Sequence, residues 1–433
     1  MLAKTKESQK ESHDPEFLRW FSSSFWLVER QLHEARERTS KKSLQWVMLL
    51  PEFRDWHTNS NGSVLWIQGA PGVGKSTMAG YIIDYLTKTY SETIVAYFFC
   101  KSGQTGLTNA CDIVRTLAYQ AFQQYPQARP YFEGLKAADF PIDKGAQVSF
   151  LFEKLLRIPL EPSGRKLYIV LDGLDEGEYD ATVSKEEMDV LIEHIASLPL
   201  AKLLLLSRPH RDIAGLPQNS KTKIITNENF ADIQMFVEHE VKSSTNLLKH
   251  FGTIDIALEF FATNANGIFL WVSLSLSLLS RAQSRKQFEE LLRETILKKS
   301  NRMDSIYSTI LSQIKDSQEW INETLRWVVV AKRPLSVDEI REAVEFSLDD
   351  THTDFRKFLT GPGGSLLRLV PNTEGDSDTV QLFHITLRSF ITQSAPSSIR
   401  IEEKEAHMHV ANNCLRYVGQ GTSRTQVHLV RFL

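Results

Sequence analysis

A chain of 433 residues is too long for one ordinary domain and has room for roughly two to four. Its 42% apolar and 24% charged residues are those of a soluble globular protein, and a net charge of −3 gives no electrostatic basis for nucleic acid or an anionic membrane as the main partner. Three cysteines (Cys100, Cys111, Cys414) with no CxxC pair argue against a disulfide framework and a zinc site, and fit a reducing, cytoplasmic location.

The opening MLAKTKESQKESHD is charged and lacks the apolar stretch of a signal peptide. EFLRWFSSSFWLVERQLHEARER then carries the apolar spacing of one amphipathic helix, whose partner the pattern does not reveal. After LLPEFRDW and the turn-forming NSNGS, the short apolar strand VLWI leads into QGAPGVGKST and the helical period of MAGYIIDYL. Further strands are expected at 93–99 (TIVAYFF), 166–171 (KLYIVL), 202–207 (KLLLLS) and 223–226 (KIIT), with helices near 110–125, 150–156 and 185–198 between them. Continuous apolar strands alternating with helices predict an α/β fold with a parallel sheet covered on both faces.

From about Ala231 helical patterns take over. GIFLWVSLSLSLL, from Gly267 to Leu279, is too short for a bilayer, contains three serines, and reads as a buried helix. SVDEI holds a capping box in which Ser336 and Glu339 satisfy each other's backbone N–H groups. Two helices within 303–346 and a strand at 380–387 (VQLFHITL) suggest a small helical domain with a β wing, and EEKEAHMHVANNCLRYV a final helix.

The chemistry concentrates in GAPGVGKST. Gly69, Gly74, Lys75 and Ser76 match G-x-x-x-x-G-K-[ST], so the stretch Gly69, Ala70, Pro71, Gly72, Val73, Gly74 is expected to turn backbone N–H groups toward phosphate oxygens at a helix N-terminus. Lys75 supplies a charge to the phosphates, Ser76 a hydroxyl to Mg²⁺, and Thr77 lies by position near the α-phosphate. Such a site needs an acid at the end of another strand to hold Mg²⁺, and Asp172, closing YIVLD, is that acid. Many ATPases place the water-activating glutamate immediately after it, but Gly173 stands there, so the role falls to Asp175 or Glu176, and the sequence leaves the choice open. Arg208, at the end of KLLLLS, could read the γ-phosphate through charge-assisted bonds.

Taken with LDGLDE, these residues resemble the NACHT branch of the STAND signalling NTPases, in particular fungal proteins with a nephrocystin-3-like NACHT region. The resemblance covers about residues 41–418 and rests also on WVMLLPEFRDW, CDIVRTLAYQAF, LLLLSRPH, NGIFLWVSLSL, AKRPLSVDEIREAV and LFHITLRSFI. It implies a parallel-sheet P-loop NTPase core (41–230) after an N-terminal helical segment (1–40), then a helical lid (231–300), a winged-helix domain (301–400) and a C-terminal helix (401–433). It also implies ATP or ADP with Mg²⁺, closure over ADP, self-oligomerisation on ATP exchange, and an effector and activating ligand that remain unnamed. His384 resembles the winged-helix histidine that touches the diphosphate, whereas Thr386 and Ser389 depart from the usual fungal form of that segment. Such proteins carry effector and repeat domains, and the short flanks here imply a minimal or truncated switch.

The leading function is therefore a slow nucleotide-dependent switch in innate immunity or heterokaryon incompatibility. The alternative is a scaffold that holds ADP without turnover, motivated by Gly173. A DNA-acting ATPase is disfavoured because Arg333 to Asp350 sets two arginines against six acids, and a small-molecule kinase lacks a second substrate site. The guanine-selecting N-K-x-D pattern is absent, which favours ATP, with GTP the alternative. No nucleic-acid or membrane partner is expected.

Overall fold

In the computed structural model of the chain, five apolar runs form one parallel sheet. β1 (Ser63–Gly69), β2 (Ile94–Phe99), β3 (Leu167–Asp172), β4 (Ala201–Ser207) and β5 (Lys221–Ile225) lie in the order β2-β3-β4-β1-β5. The structure describes residues 15–38, 43–59, 62–101, 104, 106–136, 140, 147–177, 185–209, 213, 216–217, 220–297, 302–314, 317–361, 365–371 and 377–419. The described residues fall into two compact units, one drawn from 15–70, 74–101 and 106–226, the other from 71–73, 104 and 227–419.

In the first unit β1, β3 and β4 are buried along their whole length, which is why they read as unbroken apolar runs. Gln68 pairs in register with Ser207, and Asp172 with Leu206, so β1, β4 and β3 end level and side by side. β5 is an exposed edge whose Lys221 and Lys223 discourage further pairing. The opposite edge, β2, is closed differently. Gln120 and Gln124, one turn apart on the helix Ala110–Gln124, accept from Tyr97 N–H (2.7 Å) and Val95 N–H (2.9 Å), and Gln124 donates to Val95 O (2.8 Å). Side-chain amides thus replace the missing strand.

The N-terminal amphipathic pattern, expected as one helix, is broken at Ser22–Ser24 into α1 (Pro15–Phe21) and α2 (Phe25–Glu37). Serines compete for backbone hydrogen bonds, and the Ser22 hydroxyl does so by donating to Leu18 O at 2.8 Å. Phe17, Phe21, Val28, Leu32 and Ala35 join the sheet's core, and Glu29 accepts from the Tyr97 hydroxyl, so the partner of this segment is the sheet unit itself.

The second unit is helical around Phe269–Leu279, the apolar run that hydropathy marked out, which is buried here. Among the described residues no helix is long and apolar enough to cross a membrane. Helices Arg302–Ser312, Gln318–Val330 and Val337–Leu348 precede a small antiparallel sheet of β6 (Leu335–Ser336), β7 (Leu367–Val370) and β8 (Thr379–Leu382), ordered β6-β8-β7: a winged helix. The capping box forms as expected, with Ser336 Oγ accepting from Glu339 N–H at 3.1 Å and Glu339 from Ser336 N–H at 2.8 Å.

Two expectations are corrected here. The span 303–346 carries three helices, because the first stops at Ser312, where Gln313 breaks the apolar period, and a second runs Gln318–Val330. The strand expected at 380–387 stops at Leu382, and a helix Ile385–Ser389 starts at once because the His384 side chain accepts its Thr386 N–H at 3.2 Å.

Candidate functional site

The phosphate-loop motif sits where β1 meets helix α3 (Lys75–Thr89). Gly74, the residue that starts the helix, has φ +99°, a left-handed conformation that costs glycine little. Lys75 folds back over the loop, its Nζ donating to Gly69 O (2.8 Å) and Ala70 O (3.2 Å), and burial lowers its pKa against the opposing pull of Asp175 and Asp172. Gly69 is buried, Ala70 and Ser76 are exposed, and Thr77 is half-buried. In the second unit Pro71 and Gly72 are half-buried and Val73 is buried.

Because β3 and β4 end beside β1, the acids and the arginine of the other strand ends come to the same edge of the sheet. The Ser76 hydroxyl lies near the Asp172 carboxylate and favours its ionised form. Asp172 is 4% exposed, and burial pushes its pKa up to about 6, opposed by the Ser76 hydroxyl and the Lys75 charge. A buried carboxylate beside a serine hydroxyl is a hard-oxygen donor pair of the kind Mg²⁺ takes, together with waters and phosphate oxygens. These residues fit such an ion.

The structure separates the two acids that sequence left equivalent. Asp175 faces Arg208: Arg208 Nε lies 2.9 Å from Asp175 Oδ2, and Arg208 N–H donates to Oδ1 at 3.0 Å. Glu176 has no such arginine clamp. Burial, then the charges of Asp175 and Asp172, push its pKa up to about 7, opposed by Lys101 and Arg208. A carboxyl that titrates near neutrality is suited to take a proton from water.

Gly173 has φ +73°, and a Cβ there would lie 2.7 Å from the Cys100 carbonyl oxygen. Cys100 N–H donates to Asp172 O (2.8 Å) and Gly173 N–H to Leu206 O (3.0 Å), pinning the chain from both sides. Glycine holds the position after Asp172 for steric reasons, and the short helix Leu174–Gly177 carries the next acids instead.

Residues 42–208 match the family described as nephrocystin 3, N-terminal, and residues 307–399 the winged helix domain of GPI inositol-deacylase. This chain carries a nephrocystin-3-type NACHT region. It is 26% identical over 340 residues to the vegetative incompatibility protein HET-E-1 of Podospora anserina, covering 75% of this chain and 24% of that protein. The chain thus spans about a quarter of that relative's length. Solved structures with a similar course include a STAND protein with a tetratricopeptide repeat sensor from Pyrococcus horikoshii, at TM-score 0.43 and 15% identity, covering 86% of this chain and 47% of that one. Another is the ORC2 protein of Aeropyrum pernix in its ADP form, at TM-score 0.39 and 13% identity, covering 89% and 98%.

In the winged helix that follows the NACHT region, His384 is half-buried and begins the helix Ile385–Ser389. Its Nδ1 accepts Thr386 N–H and lies 2.9 Å from Thr386 Oγ1, which in turn lies 2.8 Å from the hydroxyl of buried Tyr307. Nδ1 as acceptor leaves the ring proton on Nε2. Thr386, which departs from the fungal pattern, thereby acquires a place in a hydrogen-bonded chain that sequence did not suggest. The contacts of Asn229 and Leu270 with the phosphate loop were equally unforeseen, since neither belongs to a motif.

Proposed function

We propose that this chain is the nucleotide-operated part of a cytoplasmic signalling switch, binding ATP or ADP with Mg²⁺, hydrolysing ATP slowly, and alternating between a closed ADP form and an open form that self-associates. The observation that carries this is Lys75 folded over the loop carbonyls of Gly69 and Ala70 after left-handed Gly74, with the Ser76 hydroxyl and the buried Asp172 carboxylate near one another. Gly69, Ala70, Pro71, Gly72, Val73, Gly74 and Thr77 would line the phosphates. The bound ion would neutralise phosphate charge, held by Ser76 and Asp172. The likeness to a vegetative incompatibility protein supports a place in heterokaryon incompatibility or innate immunity, with an effector and an activating ligand as partners.

Each side chain then has a task. Lys75 exchanges the carbonyls of Gly69 and Ala70 for β- and γ-phosphate oxygens. Glu176 orients water and takes its proton. Arg208 leaves Asp175 for the γ-phosphate, and so responds to triphosphate and not to diphosphate. His384 offers its Nε2–H to the diphosphate of the closed form. Hydrolysis is slow because the carboxylate sits beyond Gly173 instead of directly after Asp172. Release of bound nucleotide from the purified, denatured protein, identified by ion-exchange chromatography, tests this reading: adenine nucleotide is expected, and a protein that neither retains nor takes up ATP, ADP or GTP with Mg²⁺ contradicts it.

The reading that this is an ADP-holding scaffold without turnover draws on the same Gly173. ATP hydrolysis that disappears in Glu176→Gln would overturn it.

A further inference from the structure

Asn229 stands at the first position before the helix Phe230–Ser243, where asparagine usually accepts a backbone N–H of the first turn, yet its side chain makes no such bond. It is 2% exposed and spends its carboxamide elsewhere. Nδ2 donates to Val73 O at 3.1 Å and to Gly267 O at 2.7 Å, while Oδ1 is buried with no hydrogen-bond partner. Two carbonyl partners fix which end is the NH₂ group. Next to it, Leu270 N–H donates to Gly72 O at 3.0 Å, and a Cβ on Gly72 (φ +81°) would lie 2.6 Å from Leu270 Cβ.

These bonds set the direction of two peptide planes. A trans peptide is planar, with its C=O and N–H pointing opposite ways. Holding Gly72 O therefore aims Val73 N–H the other way, and holding Val73 O does the same for Gly74 N–H. Both are loop donors in a G-x-x-x-x-G-K-[ST] motif, and they serve an anion only while their carbonyls are held outward. We propose that Asn229, seconded by the Leu270 backbone, is the positioning residue of the phosphate loop, and that through Gly267 O it ties loop geometry to the turn Asn266–Gly267, both of whose residues have positive φ. The inference rests on the nucleotide-binding reading given above. It adds a residue that sets the direction of the loop's carbonyls at Gly72 and Val73.

The test compares ADP and AMP by competition against a fluorescent ADP analogue in wild-type protein, Asn229→Asp and Asn229→Ser. On the nucleotide-binding reading the loop donors would face the β-phosphate, so both variants should lose ten-fold or more in ADP affinity while AMP affinity changes less than three-fold. Thermal melting without nucleotide verifies that each variant is folded, and Asn229→Ser, small and uncharged, carries the comparison if Asn229→Asp does not fold. Equal losses for ADP and AMP, or ADP affinity unchanged, overturn the proposal. Wild-type protein that binds no ADP instead removes the reading on which it rests, so the two failures are distinct.

Discussion

Asp175 and Arg208 are joined twice, through the guanidinium Nε at 2.9 Å and through the backbone N–H of Arg208 at 3.0 Å. The second bond comes from the backbone and would hold the carboxylate at the end of β4 if the guanidinium turned to a phosphate, as proposed above. It also separates Asp175 from Glu176, the acid proposed above to activate water.

Glu176→Gln should slow single-turnover phosphate release from ATP by about 100-fold or more, the range of a removed general base. Asp175→Asn keeps the acceptor for Arg208 N–H and should slow it by less than about ten-fold. The reverse order would assign the base to Asp175.

The pH dependence has a defined sign. Glu176 titrates at about 7 in the folded chain against an ordinary 4.5, so between these values the folded state holds more protons than the unfolded one. The stability this residue contributes is full below 4.5 and is lost as pH rises through about 7. Without nucleotide or Mg²⁺, Glu176→Gln should therefore gain melting temperature over wild type as pH goes from 5 to 8. Hydrolysis by wild type should rise over the same window, since the base must be ionised. A difference that shrinks with pH would refute the raised value.

Gly173→Ala should destabilise by about 1–3 kcal/mol, because its φ of +73° is strained for any residue with a Cβ and the neighbour at 2.7 Å is backbone. Gly173→Glu, which places a carboxylate in the usual slot, should cost at least as much and yield no faster hydrolysis. Thermal melting with a phosphate-release assay measures both, and a stable, faster Gly173→Glu would count against the steric account.

Lys202, 1% exposed, donates from Nζ to Trp56 O (2.7 Å), Asn59 O (2.6 Å) and Ser63 Oγ (3.2 Å). Lys202→Met keeps the stem and strips these acceptors of their donor, at a cost of about 1–3 kcal/mol by urea unfolding. Burial lowers the ammonium pKa to about 8 from 10.5, so the unfolded chain holds the proton longer and wild-type stability gains from this residue between those values. The Met variant should lack that gain.

The sheet was legible because buried parallel strands are written as apolar runs, and the loop because its glycines mark the left-handed turn that starts the helix Lys75–Thr89. Asp172 and Arg208 followed from their places at strand ends. What escaped is tertiary. LDGLDE offers two adjacent acids with nothing local to separate them, and only Arg208, 33 residues on, takes one. VQLFHITL alternates like a strand, but a histidine that caps its neighbour's N–H ends it at Leu382. Asn229 looks like an ordinary helix cap until Val73 O and Gly267 O are found at its amide.

The central claim is a nucleotide site built on Lys75, and titration of ADP and ATP with Mg²⁺ against wild type and Lys75→Ala tests it most directly. Saturable binding by wild type, with triphosphate binding abolished in a Lys75→Ala protein that melts like wild type, is the predicted result. A Lys75→Ala variant that binds ATP as tightly as wild type would contradict the account.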